Sequence, residues 1–206
     1  MDLTNVYIGF ALATFAGLST GIGSMLGLYS KFENKRLLSL ALGFSAGVMI
    51  YVSFMELLIL SFDSLGGIYG DTYGKLIGVT AFIVGLLMML FIDQLFHKHS
   101  IADFISRSSN KDESLLVRTG LFSALALAIH NFPEGFATFT AAVYDPTVGA
   151  TLAVAIAIHN IPEGLAVSVP IYYATKNKSK AFWISFASGL AEPLGAIVGF
   201  LIFRTV

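Results

Sequence analysis

Apolar residues run in long blocks along this chain, and polar residues collect in short intervals between them. The blocks lie at roughly 5–29, 37–62, 75–96, 115–143, 147–174 and 181–203. Each is long enough to cross the hydrocarbon of a bilayer as a helix, for which ~20 residues suffice. The pattern predicts an all-α fold, a polytopic membrane helical bundle in one transmembrane domain covering residues 1–206. Gly66, Gly67 and Asp71 mark a loop after the second block, and Tyr144-Asp145-Pro146-Thr147 marks a tight turn joining the fourth and fifth as an antiparallel hairpin. The one sizeable polar stretch, residues 97–114, predicts a cytoplasmic loop; its His97 and His99 are taken as solvated. The opening MDLTNVYIGFALA has no basic segment before its apolar run, unlike a secretory signal.

Composition sharpens this reading. Of 206 residues, 56% are hydrophobic and 12% charged, against about 25% charged in soluble domains. The partner this predicts is a lipid bilayer, not a nucleic acid. With no cysteine, disulfides and thiolate metal sites are excluded. The basic residues alternate by side. Lys31, Lys35, Arg36, Lys98, Arg107, Lys111, Arg118, Lys176, Lys178 and Lys180 follow the first, third and fifth blocks, whereas only Lys75 and Arg204 fall on the other side. Positive charge stays cytoplasmic, so the expectation is a multi-pass protein of the plasma or inner membrane with both ends of this six-span chain outside the cytoplasm.

Chemistry concentrates in a repeat. LALAIHNFPEGFA, around His130, is matched by VAIAIHNIPEGLA, around His159. On a helix, His130 and Glu134 share a face bordered by Asn131, and His159, Glu163 and Asn160 repeat the arrangement. Pro133 and Pro162 free the carbonyls of Ile129 and Ile158, because proline has no N–H. His130 lies 15 residues before Asp145 and His159 lies 14 after it. At ~1.5 Å per residue, both stand ~20 Å from the turn and level with one another. Glu192, followed by Pro193, is near the middle of the sixth block, and Met49 near the middle of the second. Each unpaired carboxylate at this depth costs several kcal/mol, and cations offset that cost. Imidazole and carboxylate without thiolate favour divalent transition ions, and bridging by Glu134 and Glu163 would suit two ions side by side. Glu56, seven residues beyond Met49, falls ~10 Å towards the outer face and is a candidate for the ion's entrance.

HNFPEG and HNIPEG in consecutive spans, SGLAEPLGA in the next, SAGVM in the second and the glycine-rich first span resemble the ZIP (Zrt/Irt-like) divalent metal transporters, close to their ZupT-like bacterial and archaeal branch. The resemblance covers essentially the whole chain. It implies import of Zn²⁺, or of iron, manganese, cobalt or cadmium, into the cytoplasm by alternating access through a midplane, binuclear site, the metal being substrate. One metal position would use His130, Glu134, His159 and Glu163, with Met49 nearby; the other would use Asn131, Asn160 and Glu192, with Glu134 and Glu163 bridging. Inverted three-helix repeats bracketing the fourth and fifth helices are implied as well, and dimers are known in the family. The family has eight spans, six of which are visible here.

Two alternatives stay open. One is an intramembrane metalloenzyme with a Glu activating a metal-bound water; the chain has no HExxH, and a duplicated ligand set suits passing an ion along. The other is a structural or sensing membrane protein, which leaves three buried carboxylates and their prolines without a purpose.

Overall fold

The computed structural model describes residues 2–29, 35–98 and 111–204, and every regular element among them is helical. In chain order these are α1 (Leu3–Tyr29), α2 (Lys35–Tyr51), a π turn (Val52–Leu57), α3 (Leu58–Tyr69), α4 (Asp71–Lys98), α5 (Lys111–Tyr144), α6 (Pro146–Thr175), α7 (Lys178–Gly189) and α8 (Ala191–Phe203). Among the described residues, five helical stretches have the length and apolarity to cross a membrane: Leu3–Tyr29, Ser39–Tyr69, Asp71–Phe91, Pro146–Thr175 and Lys178–Phe203. The fold is an all-α polytopic membrane bundle.

The elements depart from the sequence pattern in several places. The expected single helix over 181–203 is two, α7 and α8, divided at Leu190. Pro193 explains the break: it has no N–H for the Gly189 carbonyl, its ring excludes that carbonyl, and proline suits only a helix's first turn. The expected loop at Gly66-Gly67 is helical, and the chain reverses instead at Gly70, whose φ of +83° suits glycine. The polar stretch 97–114 is shorter than its composition suggests, since α4 reaches Lys98 and α5 begins at Lys111. Asp112 and Glu113 then fall in the first turn of α5, where the helix dipole favours acidic residues. His99 and the side chains of Asp93 and His97 lie outside the described residues.

The chain divides into two compact units, Met49–Arg107 and the remainder, Met1–Val48 with Ser108–Val206. In the smaller unit, α3 and α4 pair antiparallel across Gly70, with the backbones of Gly66 and Gly74 in contact and the Phe54 and Phe82 rings 5.2 Å apart. The glycines that looked like turn residues serve this close approach.

In the larger unit α1 packs against α5, α6, α7 and α8. Its small residues permit contact at backbone distance: a Cβ at Gly23 would overlap the Ile161 carbonyl. Two apolar clusters lie towards the ends of this bundle, one of Val6, Ala13, Phe139 and Ala196, the other of Leu28, Ala124, Val167, Ile171 and Ala181. Between them along α1 lies the stretch from Ala16 to Thr20. It meets a buried polar layer that includes Asn131, His159, Asn160, Glu163 and Glu192.

Candidate metal centre

Helices α5 and α6 deliver the two repeat copies as uninterrupted helices despite Pro133 and Pro162, and α6 also accommodates Pro170. Asp145 sets up the second helix: its side chain accepts a hydrogen bond from the Thr147 N–H at 2.8 Å, and Pro146 occupies the first helical position. The side chains then converge unequally. His130 Nε2 lies 3.1 Å from Glu134 Oε1, as the four-residue spacing predicts. His159 Nε2 faces across the helix pair and lies 3.3 Å from the same oxygen, instead of meeting Glu163 on its own helix.

The tautomer of His159 follows from its other nitrogen. Nδ1 lies 3.1 Å from the Ala155 carbonyl; a carbonyl can only accept, so Nδ1 carries a proton and donates. Nε2, facing the Glu134 carboxylate, then needs a cation, either a second proton or a metal ion. Glu163 is buried, and neither of its oxygens has a hydrogen-bond partner among the described residues. One ligand atom each from His130, His159 and Glu163 fits within 4.8 Å of the others. Two imidazoles and two carboxylates thus meet at one place, and no lysine or arginine pairs with these carboxylates among the described residues.

Directly beside it the two asparagines hold a second set of oxygens. Asn131 Nδ2 donates to the Ser188 carbonyl at 3.3 Å, and Asn160 Nδ2 donates to the Ala16 carbonyl at 3.0 Å and to Glu192 Oε1. With Nδ2 of each donating to a neighbouring helix, both asparagines leave Oδ1 buried and, among the described residues, without a partner, as is Oε2 of Glu192. Glu192 sits in the first turn of α8, immediately after the helix break. A discontinuous helix at membrane depth is tolerated where it lines a polar site.

The geometry brings together His130, Asn131, Glu134, His159, Asn160, Glu163 and Glu192. Met49 and Glu56 belong to the smaller unit, Met49 partly exposed and Glu56 exposed within the π turn.

Several supporting groups were not singled out from the sequence. Ser45 Oγ donates to the His159 carbonyl at 3.1 Å, and the carbonyls of Ala16, Ala155 and Ser188 orient ligands through their main chain, which no side-chain pattern reveals. The closing glycine of each copy did carry a signal. A Cβ at Gly135 would collide with the backbone of Glu192, and one at Gly164 with the Thr20 carbonyl. The first copy is therefore pressed against α8 and the second against α1.

The family model described as ZIP Zinc transporter matches residues 103–205. The chain is 52% identical to the zinc transporter ZupT of Chlorobaculum parvum, an alignment covering 98% of this chain and 78% of that protein. It is 49% identical to the ZupT zinc transporters of Chlorobium chlorochromatii, over 98% of this chain and 77% of the relative, and of Lysinibacillus sphaericus, over 96% and 76%.

Proposed function

The chain belongs to the ZIP family of zinc transporters, and from that premise we propose that it imports Zn²⁺ into the cytoplasm through a binuclear site at the bilayer midplane. Members of this family are transporters and not enzymes; the metalloenzyme alternative has no support. One position takes His130, Glu134, His159 and Glu163. The other takes Asn131, Asn160 and Glu192, with Glu134 and Glu163 bridging. The observation that carries this reading is the meeting of both histidine Nε2 atoms on Glu134 beside a buried Glu163 whose oxygens have no partner among the described residues.

The same residues account for how an ion is held and released. Imidazole nitrogens and carboxylates bind a borderline dication directly, and the neutral amide oxygens bind it more weakly. A gradation of this kind lets an ion dissociate after alternating access turns the site towards the cytoplasm. Fe²⁺, Mn²⁺, Co²⁺ and Cd²⁺ satisfy the donor set as competing substrates. The protein acts in the plasma or inner membrane with six spans and both ends of this chain outside, and Glu56 is the candidate for drawing ions in. A homodimer is the proposed assembly.

Zinc flux into proteoliposomes containing the purified chain tests the reading. Uptake above protein-free vesicles, reduced by each competing ion according to its affinity, is the expected result. An absence of flux from correctly folded, vesicle-inserted protein that still binds zinc would overturn the transport assignment.

A further inference from the structure

Away from the polar layer, α1 ends, α6 ends and α7 begins at one place on the surface, and three lysines stand there. Lys178 Nζ lies 4.4 Å from the centre of the Tyr29 ring and 5.9 Å from that of Tyr172, while Lys176 Nζ lies 5.4 Å from the Tyr173 ring. Lys176, Lys178 and Lys180 are all exposed, and none has an ion-pair partner among the described residues. Tyr29 and Tyr173 are exposed beside them, and Trp183 is exposed on α7 three residues after Lys180. Amphipathic rings below a row of ammonium groups match the level where acyl chains give way to headgroups.

The backbone adds an independent sign. Lys176 closes α6 in the left-handed region at φ 51°, the one non-glycine residue with positive φ among the described residues. That position is ordinarily glycine or asparagine. A lysine there keeps a charge at a conformational cost, as strained residues do at functional places. Asn177 then accepts a hydrogen bond from the Lys180 N–H at 3.0 Å, which fixes the start of α7 and the spacing of the lysines.

We propose that this junction binds the headgroups of acidic phospholipids. The phosphate would lie among Lys176, Lys178 and Lys180, and the glycerol and upper acyl chain against Tyr173 and Trp183. The charge complementarity selects an anionic partner, and the exposed aromatic surface beneath selects a lipid over free phosphate. The proposal rests on the bilayer-spanning fold and not on the metal site. It matters for the transporter because the Lys176-Asn177 turn connects α6, which carries His159, Asn160 and Glu163, to the helix pair carrying Glu192.

Trp183 is the chain's single tryptophan and reports on this surface alone. The full chain is reconstituted in phosphatidylcholine vesicles containing brominated-acyl phosphatidylglycerol or, at equal mole fraction, brominated-acyl phosphatidylcholine. Quenching of Trp183 should favour the acidic lipid by about five-fold or more, the factor contributed by one surface lysine. It should weaken with salt and disappear in the triple variant Lys176→Gln, Lys178→Gln, Lys180→Gln. Lys176→Gly separates binding from folding, since it should raise thermal stability while lowering the preference. Equal quenching by the two lipids in the wild-type chain, or a preference that survives the triple substitution, would overturn the proposal. Loss of the preference in millimolar inorganic phosphate at constant ionic strength would also overturn it, in favour of a free-anion site.

Discussion

The two copies of the repeat differ at four residues across their thirteen-residue match, LALAIHNFPEGFA against VAIAIHNIPEGLA, yet they occupy different environments. His130 has 36% of its side chain exposed, whereas His159 has 1%. Glu134 meets both histidines, whereas Glu163 has no hydrogen-bond partner among the described residues. Asn131 is tied to α7 by one bond, and Asn160 to both α1 and α8. Near-identical helices are made unequal by what packs against them. The first copy is the accessible half of the site, and the second is its fixed wall.

The carboxylates should give the largest effects. Glu134→Ala leaves both histidines without their shared partner, and Glu163→Ala removes the carboxylate that completes the histidine group. Each should reduce zinc uptake at equal expression to background, a loss of more than about 100-fold, as the proposed bridging role requires. Wild-type uptake in either variant would refute a shared site.

The histidines sharpen the contrast. His159 is buried and oriented by Ala155, so His159→Ala should weaken zinc binding by roughly 100-fold, and His130→Ala by nearer ten-fold, the span found for ligand-supporting groups. Equal losses by calorimetry in detergent would erase the difference between the copies. Protons compete with metal for the Nε2 lone pairs, so affinity should fall as pH drops from about 8 to 5. A flat profile would exclude imidazole ligation, and the double histidine variant should flatten what the wild type displays.

The amides come next. Both variants lose one neutral oxygen, but Asn160→Ala also releases Ala16 and Glu192. It should lower zinc affinity by about ten-fold and reduce thermal stability by about 1–3 kcal/mol, the cost of leaving buried polar groups unpaired. Asn131→Ala should have a smaller effect on both, and the reverse order would place the rigid wall on the wrong copy. The smallest effect belongs to Glu56→Gln. It should raise KM for zinc about two-fold at low ionic strength with maximal flux unchanged, as for a charge that steers ions. A collapse of maximal flux would make Glu56 a ligand or gate.

Much of this arrangement was legible in the sequence because helical periodicity and depth are both counting problems. The His130–Glu134 contact follows from a four-residue spacing, and the common level of the two histidines from their distances to Asp145. The inequality of the copies was not legible, since the same motif on the same kind of helix presents the same face. Only the partners of α5 and α6 decide that His159 turns to Glu134 rather than to Glu163. The Leu190 break was half visible: Pro193 was noted, but a proline in a first turn and a proline within a helix look alike until the boundary is known. Pro133 and Pro162, carried inside continuous helices, illustrate the ambiguity. The π turn at Val52–Leu57 has no glycine or proline to announce it.

The backbone contacts at Gly135 and Gly164 have a consequence for redesign. Where two helices touch main chain to main chain, their separation is a fixed gauge and does not depend on which rotamers the neighbouring side chains adopt. The donor atoms of this centre can therefore be exchanged, an amide for a carboxylate or an imidazole for a carboxylate, while the frame that spaces them stays put. A single methyl group at either glycine does the opposite. It keeps every donor but forces the frame apart by about a bond length, ~1.5 Å, several times the few tenths of an ångström that separate a small dication's coordination distances from those of a larger one. The donor groups and the spacing of the helices that carry them thus rest on different residues, and a substitution at either glycine disturbs the spacing while leaving every donor in place.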